Sequence, residues 1–249
     1  MVGFRFHTSH GSNLELDDGS RIARRFRSFA NAIAFSNRPL LPGETFLFEI
    51  EDQEMGWAGH IRCGVTIHNP IKLRSLPQYL LPDFAQLTDG KCASWVFAIK
   101  PSEEMPFGDD FIGIPIHCND AKTDPLQIKE KNYKTLKAHD NILPTDLGSR
   151  IGIHVTLGGE LFFFINGTQF GPCASDVPVE QKDVFAVVDL YGVTKQIRTI
   201  QVAGESHAFF IKYCKMEIFS ADECDLNNVW KYRGIYPRVR TQKPTPKVH

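Results

Sequence analysis

Alternation of apolar and polar residues is the main pattern along this chain, and it predicts β-strands. Residues 45–51 place three apolar side chains on one face and two glutamates on the other, and residues 60–67 alternate in the same way. A period of two residues is the repeat of a strand with one buried face, so both segments are predicted strands with Phe46 and Phe48 facing inward. Residues 94–99 are apolar on both faces, which is typical of a central strand.

The segment 151–170 predicts a hairpin in detail. Apolar and polar residues alternate as far as Gly158-Gly159, which supply two residues that tolerate the positive φ angles of a tight turn. With these glycines as a two-residue loop, the predicted partners are Leu157 with Glu160, Val155 with Phe162 and Ile153 with Phe164. Phe162 and Phe164 are therefore expected to face the core.

Further turns divide the second half of the chain into short strands. Asn166-Gly167 is a dipeptide preferred in type I′ turns, and it leads into Thr168–Phe170, so a three-stranded meander is predicted. Residues 184–191 and 195–202 repeat this pattern of short alternating segments. Many short strands joined by glycine turns are typical of an antiparallel β-sandwich, and the predicted fold class is therefore all-β.

Two stretches depart from the alternation and set the predicted domain limits. Residues 101–147 mix prolines, acidic pairs and lysines, which is typical of a loop insertion with one short helix. Further along, apolar residues recur every four positions, as on one face of a helix. These residues are Phe210, Cys214 and Ile218. We therefore expect a β-domain over 1–204, a helical segment over 205–236 and a flexible tail over 237–249.

Composition narrows the class of protein without identifying it. The 249 residues include 28 lysines and arginines against 29 aspartates and glutamates, so the net charge is −1 and gives no reason to expect nucleic-acid binding. Hydrophobic residues make up 42%, which excludes a disordered chain. The first residues lack a signal-peptide pattern, no apolar run is long enough to span a membrane, and the six cysteines are scattered. A cytoplasmic protein with reduced thiols is expected.

Sequence motifs that carry catalysis are missing. The chain has no G-x-S-x-G, no P-loop, no H-E-x-x-H and no C-x-x-C. The remaining candidates for a metal site are the pairs His7/His10 and His117/Cys118, and those for a nucleophile are Cys92 and Cys173. The spacing of both pairs is poor for a shared ion, and neither thiol has an evident activating histidine. We therefore expect no catalytic residue, no metal and no cofactor, and we predict that the chain is not an enzyme.

A run of arginines and a tryptophan between glycines have two interpretations each. The run consists of Arg21, Arg24, Arg25 and Arg27. Such a cluster binds phosphate or anionic lipid, or it follows a strand on which the arginines meet carboxylates. Trp57 stands at the entrance of a strand, where it either lines a binding groove or packs into the turn.

A set of short motifs runs through the chain. They are His7–Asn13, Arg27–Phe29, Phe35–Leu40, Pro42–Glu44, Glu49–Glu51, Gly56–Thr66, Trp95–Phe97, Arg150–Gly152, Ile165–Gly167 and Val187–Gly192. In content and order these motifs resemble the neuralized homology repeat, over about residues 4–202. The resemblance implies a β-sandwich related to SPRY domains that recognises proteins, in a family whose members direct the transfer of ubiquitin to their targets.

For the C-terminal part, the resemblance implies a divergent SOCS box over 205–236. Such a box opens with a leucine, a cysteine and an aliphatic residue, and Phe210, Cys214 and Ile218 keep the spacing with phenylalanine in first place. The implied partners are elongin B and C, bound by this helix, and a cullin scaffold with its RING subunit. The segment that selects the cullin is not evident, and a helix packed back on the sandwich would give the same apolar stripe.

The resemblance leaves the target protein open. Sandwich loops are expected to bind it, and the candidate contacts are Glu54, Trp57, Asn166 and Gln169. The leading prediction is therefore a substrate-recognition adaptor of a cullin-RING ubiquitin ligase. The alternative is a protein- or anionic-lipid-binding module without ligase coupling, which would contact a membrane weakly through the arginine run.

Overall fold

A computed structural model of the chain describes residues 3–80, 93–101 and 142–201. Eleven β-strands lie within these ranges, in one sheet of seven strands and one of four. Neighbouring strands run antiparallel throughout both sheets. The predicted antiparallel β-sandwich is therefore confirmed for the described residues.

The eleven strands are short and follow one another along the chain. They are β1 (Leu14–Asp17), β2 (Ile22–Arg25), β3 (Ile33–Phe35), β4 (Thr45–Gln53), β5 (Arg62–Thr66), β6 (Ser94–Ala98), β7 (Arg150–Val155), β8 (Leu161–Ile165), β9 (Thr168–Ala174), β10 (Phe185–Asp189) and β11 (Thr194–Thr199). One sheet has the order β1-β2-β11-β4-β7-β8-β9 and the other the order β3-β10-β5-β6. A short 3-10 turn at Pro70–Lys72 lies between β5 and β6.

The hydrophobic core lies between the two sheets and is formed by the faces that the alternation predicts. Phe46 and Phe48 of β4 and Val65 of β5 are fully buried and belong to one core. The strands predicted at 45–51 and 60–67 are thereby confirmed. Burial of such large apolar side chains on one face of each sheet holds the two sheets together.

The strand β6 is apolar on both faces for a different reason from the predicted one. Residues 94–99 were expected to be central, but β6 lies at the end of the four-stranded sheet in the described part of the chain, beside β5. Its outward side chain Val96 is fully buried, because Leu80 and Leu73 pack over this face of the sheet. A segment packed over a sheet thus produces the same two-sided apolar pattern as a central position.

The hairpin of β7 and β8 forms in a register one residue away from the predicted one. Thr156 N–H donates to the Glu160 carbonyl at 3.0 Å, and Gly159 N–H donates to the Thr156 carbonyl at 3.0 Å. The loop therefore has three residues, Leu157-Gly158-Gly159, instead of the predicted two. Leu157, which the prediction places inside, is 58% exposed.

This difference in loop length moves every side chain of β8 to the other face of its sheet. The observed partners are Val155 with Leu161 and Ile153 with Phe163. Phe163 is fully buried in the core, whereas Phe162 is half-buried. Phe164 is buried on the outer face of the sheet, in a small cluster with Leu47. The predicted inward orientation of Phe162 and Phe164 is therefore wrong.

The second predicted turn is confirmed. Asn166-Gly167 joins β8 directly to β9, with φ angles of 48° and 83°, as a type I′ turn requires. The strands predicted at 184–191 and 195–202 are confirmed as β10 and β11. They lie in different sheets, however, so they do not repeat the meander.

Several predictions of domain organisation lie outside the described residues. They concern the helical segment 205–236, the tail 237–249 and most of the insertion 101–147. The boundary near 204 and the helical stripe stay predictions. In the portion of the chain that is described, no helix is long and apolar enough to cross a membrane.

Candidate functional site

One end of the sandwich brings together three loops. In the seven-stranded sheet, Gln53 at the end of β4 pairs with Thr194 at the start of β11. In the other sheet, Arg62 at the start of β5 pairs with Asp189 at the end of β10. Because these strands are antiparallel, the loop after β4 and the loop after β10 leave the sandwich at the same end. The loop between β2 and β3 joins them there, since Gly192 N–H lies 3.4 Å from the carbonyl of Phe29.

Backbone hydrogen bonds lock these loops to one another. Glu54 N–H donates to the Val193 carbonyl at 2.8 Å, and Val193 N–H donates to the Gly59 carbonyl at 3.0 Å. Gly192 has a φ angle of +61°, and a β-carbon there would lie 2.2 Å from the Gly59 carbonyl oxygen. Only glycine allows this approach, so the sequence fixes how closely the loops pack.

Aromatic side chains carried by these loops and by the end of the 70–80 segment form one cluster. Its members are Phe29, Trp57, Tyr79 and Tyr191, and we call it the aromatic loop surface. The Phe29 ring centre is 5.1 Å from that of Trp57 and 5.9 Å from that of Tyr191. Trp57 is 38% exposed, and Met55 in the same loop is 81% exposed. The cluster therefore offers apolar groups to solvent from loops that are held in place.

Charged side chains support the aromatic loop surface from within. The guanidinium carbon of Arg62 is 3.7 Å from the ring centre of Tyr191, a cation–π contact. Nη1 of Arg62 is 4.0 Å from Oδ2 of Asp189, and the same oxygen accepts a hydrogen bond from Leu80 N–H at 3.2 Å. Asp189 is fully buried, and burial raises the pKa of its carboxyl group to about 6 although the Leu80 hydrogen bond and Arg62 lower it.

Arg25 holds the same loops from the side of β2. Its fully buried side chain donates through Nη2 to the Gly192 carbonyl at 2.6 Å and to the Thr194 carbonyl at 3.3 Å. Nη1 of Arg25 is 3.4 Å from a carboxylate oxygen of Glu54, whose side chain is partly exposed. Burial lowers the pKa of Arg25, and the negative charges of Glu54 and Asp189 raise it. A guanidinium remains charged in proteins, so this end of the sandwich contains a buried cation.

The burial of Arg25 corrects one predicted site. A lipid-binding cluster of four arginines cannot include Arg25, because a fully buried side chain does not reach a membrane surface. The other three arginines have polar neighbours, namely Asp18 for Arg21, Glu15 opposite Arg24 in the β1–β2 register, and Asn13 for Arg27. Lipid contact by these three stays a prediction.

The four predicted target contacts are divided between two places. Glu54 and Trp57 come to the aromatic loop surface. Asn166 and Gln169 lie at the β8–β9 hairpin, two strands away from β4 in the sheet. The side-chain amide of Asn166 bonds to two backbone groups of the chain at 2.8 and 3.0 Å, so it fixes the neighbouring loop. Gln169 is exposed.

Sequence reasoning missed most of the aromatic loop surface. The missed residues are Phe29, Arg62, Tyr79 and Tyr191. A clue was available, since three segments that carry the family resemblance meet at this end of the sandwich. These segments are Arg27–Phe29, Gly56–Thr66 and Val187–Gly192. Tyr79 lies in none of the motifs that carry the resemblance, and only the fold places it at this surface.

The other candidate residues have different surroundings. Cys173 is buried, which raises the pKa of its thiol to about 12, so the sulfur is protonated at neutral pH. His7 and His10 each use a ring nitrogen on a nearby backbone group. Within 3–80, 93–101 and 142–201, no group of three potential metal ligands occurs. Three further candidates, Cys92, His117 and Cys118, lie outside the described residues.

Comparisons with known proteins give a consistent result. The family model described as Neuralized matches residues 6–201. The chain is 34% identical to Neuralized-like protein 2 of Mus musculus over 227 residues, which is 80% of this chain and 77% of that protein. It is 36% identical to E3 ubiquitin-protein ligase NEURL3 of Mus musculus over 225 residues, which is 88% of this chain and 70% of that protein. The crystal structure of the Drosophila melanogaster neuralized NHR1 domain aligns with a TM-score of 0.58 at 23% identity, over 81% of this chain and 99% of that domain.

The prediction that the chain is not an enzyme is wrong in the light of these relatives. A protein that shares 36% identity over 88% of the chain is named an E3 ubiquitin-protein ligase. The prediction came from missing motifs for nucleophiles, metals and nucleotides. Such motifs test only the kinds of chemistry that they serve, and ligation of ubiquitin to a protein was not among them.

Proposed function

This chain belongs to the Neuralized family, and from that membership we propose that it acts in protein ubiquitination by binding target proteins through the aromatic loop surface. Relatives named as E3 ubiquitin-protein ligases support the pathway. The observation that best supports the binding role is the group of partly exposed rings on interlocked loops, with the Arg62 guanidinium stacked on Tyr191.

The residue types at this surface are those that dominate protein–protein binding energy. Tryptophan, tyrosine and arginine are enriched among residues whose truncation costs about 2 kcal/mol or more. Rings held by packing lose little conformational entropy when a partner binds, so more of the contact energy appears as affinity. The hydrogen bonds between Glu54, Val193 and Gly59 provide such holding. The partner would place an apolar side chain against Trp57 and Met55.

The proposal extends to coupling with a ligase core. The helix predicted in 205–236 would dock elongin B and C through Phe210, Cys214 and Ile218, and a cullin with its RING subunit would complete the assembly. All of these residues lie outside the described part of the chain. Support comes from their spacing in the sequence and from their position after a family domain that ends near residue 201. Such a complex would act in the cytoplasm.

Truncation of Trp57 tests the binding role. We expect Trp57→Ala to weaken target binding by about thirtyfold, the equivalent of about 2 kcal/mol, because the exposed ring supplies apolar contact area on a fixed frame. The measurement compares proteins recovered with wild type and variant from the same cells by quantitative mass spectrometry. The same samples are examined for ubiquitin attached to the recovered proteins.

Leu157→Ala is the matched control for Trp57→Ala. Leu157 is also an exposed apolar residue, but it lies in the β7–β8 loop, at the other end of the seven-stranded sheet. Proteins that Trp57→Ala loses and Leu157→Ala retains, and whose ubiquitination falls with Trp57→Ala, would support the proposal. Equal recovery with both variants would place target binding elsewhere on the protein.

A charge within the predicted docking stripe tests the coupling to elongins. Cys214→Asp is expected to abolish co-purification of elongin B and C, because an apolar groove does not accommodate a carboxylate. Lys212→Asp is the control, since residue 212 falls on the opposite face of a helix that carries 210 and 214. If both variants and wild type recover elongins equally, or none does, the assigned stripe is wrong.

A further inference from the structure

The carboxylate of Asp189 connects two members of the aromatic loop surface. Its Oδ2 accepts a hydrogen bond from Leu80 N–H at 3.2 Å, which fixes the backbone next to Tyr79. The same oxygen is 4.0 Å from Arg62, whose guanidinium lies 3.7 Å from the ring centre of Tyr191. The rings of Tyr79 and Tyr191 are in edge contact at 6.0 Å. The buried carboxylate is therefore linked to Tyr79 through Leu80 and to Tyr191 through Arg62.

We propose that the negative charge of Asp189 positions the aromatic loop surface, and that protonation of this carboxyl group releases Leu80 and Arg62 and loosens Tyr79 and Tyr191. This proposal goes beyond the binding role and depends on it only for its consequence, which is weaker target binding in acid. The positioning itself is a property of the protein without a partner.

The surroundings of Asp189 explain why its charge matters. Arg62 approaches from β5, Arg25 acts from β2, and Glu54 lies beyond Arg25 on the β4–β5 loop. The segment that ends at Leu80 contributes a backbone N–H. A charged acceptor bonds about twice as strongly as a neutral one, so a protonated carboxyl group would hold the Leu80 N–H less firmly. It would also no longer attract the Arg62 guanidinium, whose contact at 4.0 Å is one of charge. The second carboxylate oxygen, Oδ1, has no partner within the described residues, so Oδ2 carries the contacts.

The pH at which this occurs follows from burial. Burial raises the pKa of Asp189 from its ordinary value of 3.8 to about 6, so the native fold binds a proton more readily than the unfolded chain. By linkage, the contribution of this group to folding stability rises as the pH falls from about 6 towards 4. The order of the aromatic loop surface, in contrast, is expected to fall as the pH drops through about 6. Acid is thus expected to raise the contribution of Asp189 to folding stability and to lower the order of the surface. This difference in direction distinguishes a positioning role from a purely structural one.

Nuclear magnetic resonance of the full chain tests the proposal without a partner. We expect the hydrogen-exchange protection factor of the Leu80 amide to fall about tenfold between pH 7.5 and pH 5. The Nε–H signal of Arg62 should shift over the same pH range, because its guanidinium moves relative to the ring of Tyr191. Asp189→Asn, which has no charge, should show the low protection at both pH values. If Asp189→Asn does not fold, the measurements on wild type between pH 7.5 and pH 5 decide alone.

Asp183→Asn is the control, since Asp183 is exposed, and it should behave as wild type. Unfolding by urea at both pH values is measured alongside, and the free energy should not fall in parallel with the Leu80 protection. Unchanged Leu80 and Arg62 signals, or a pH response that persists in Asp189→Asn, would overturn the proposal. Global loss of tertiary structure at pH 5 would also overturn it, because the change would not be confined to the surface. None of these outcomes bears on whether Trp57 contacts a target.

Discussion

Replacement of Phe163 by alanine is expected to lower the free energy of unfolding by about 3–5 kcal/mol. Phe163 is fully buried on the inward face of β8, and its ring meets that of Phe97 of the opposite sheet at 5.6 Å in an edge contact. Truncation would remove this contact between the sheets and leave a cavity that close-packed neighbours fill only in part. Urea unfolding, followed by fluorescence, measures the change.

Phe162→Ala is the matched control for this prediction. Phe162 is the preceding residue on the same strand, and it is half-buried on the opposite face. Its truncation should cost clearly less than that of Phe163, because part of its ring is already in contact with water and no cavity is left in the core. A larger loss for Phe162→Ala than for Phe163→Ala would mean that the hairpin has the two-residue loop, with Phe162 and not Phe163 in the core.

These two phenylalanines show why the sequence predicts that a strand is present better than it predicts which face of the strand is buried. In β4, one face carries two glutamates, so the face with Phe46 and Phe48 is the more apolar one and the prediction is correct. Leu47 on the other face is nevertheless buried, beside Phe164. In β8, all five residues are apolar, and either face suits the core equally well. Which face is buried then depends on the length of the loop. Backbone and side-chain hydrogen bonds between Thr156 and Glu160 close a loop of three residues. Such a closure is a property of backbone geometry, which the pattern of apolar residues does not report.

The candidate site was predictable to a smaller extent. Trp57 drew attention because a large ring stands between two glycines, and the structure places it in the aromatic loop surface. Tyr79 and Tyr191 join it only because β5, β10 and β11 bring distant loops to one end of the sandwich. Strand order of this kind depends on contacts far apart in sequence, which local patterns do not determine.

The inward position of Arg25 is a finding of the structure that the pattern of its own strand does not determine. In β2 the residues alternate, and Arg25 shares a face with the fully buried Ala23. The sequence alone does not choose between this face and the one with Ile22 and Arg24, since each pairs one apolar residue with one arginine. The inward position is acceptable because carbonyl oxygens of Gly192 and Thr194 and the carboxylate of Glu54 surround the guanidinium. A buried charge with such partners follows the general rule for interiors.

Arg25→Ala is expected to lower the free energy of unfolding by about 3–5 kcal/mol at pH 8, since each buried acceptor that loses its donor costs about 1–3 kcal/mol. The change would leave the carbonyls of Gly192 and Thr194 without their donor and would remove a positive charge that acts on the buried carboxylate of Asp189. The control is Arg21→Ala. Its ion pair with Asp18 is partly exposed, and loss of an exposed pair costs about 0–1 kcal/mol.

The pH dependence of the Arg25→Ala effect separates its two causes. Because burial raises the pKa of Asp189 to about 6, this carboxyl group is mostly neutral at pH 5 and no longer needs a neighbouring cation. The loss of stability in Arg25→Ala should therefore be smaller at pH 5 than at pH 8, and Asp189→Asn in the same chain should reduce it at pH 8. A loss that is equal at both pH values would assign the whole effect to the two carbonyls. Arg25 would then hold the loops by hydrogen bonds alone, and its charge would contribute nothing to Asp189.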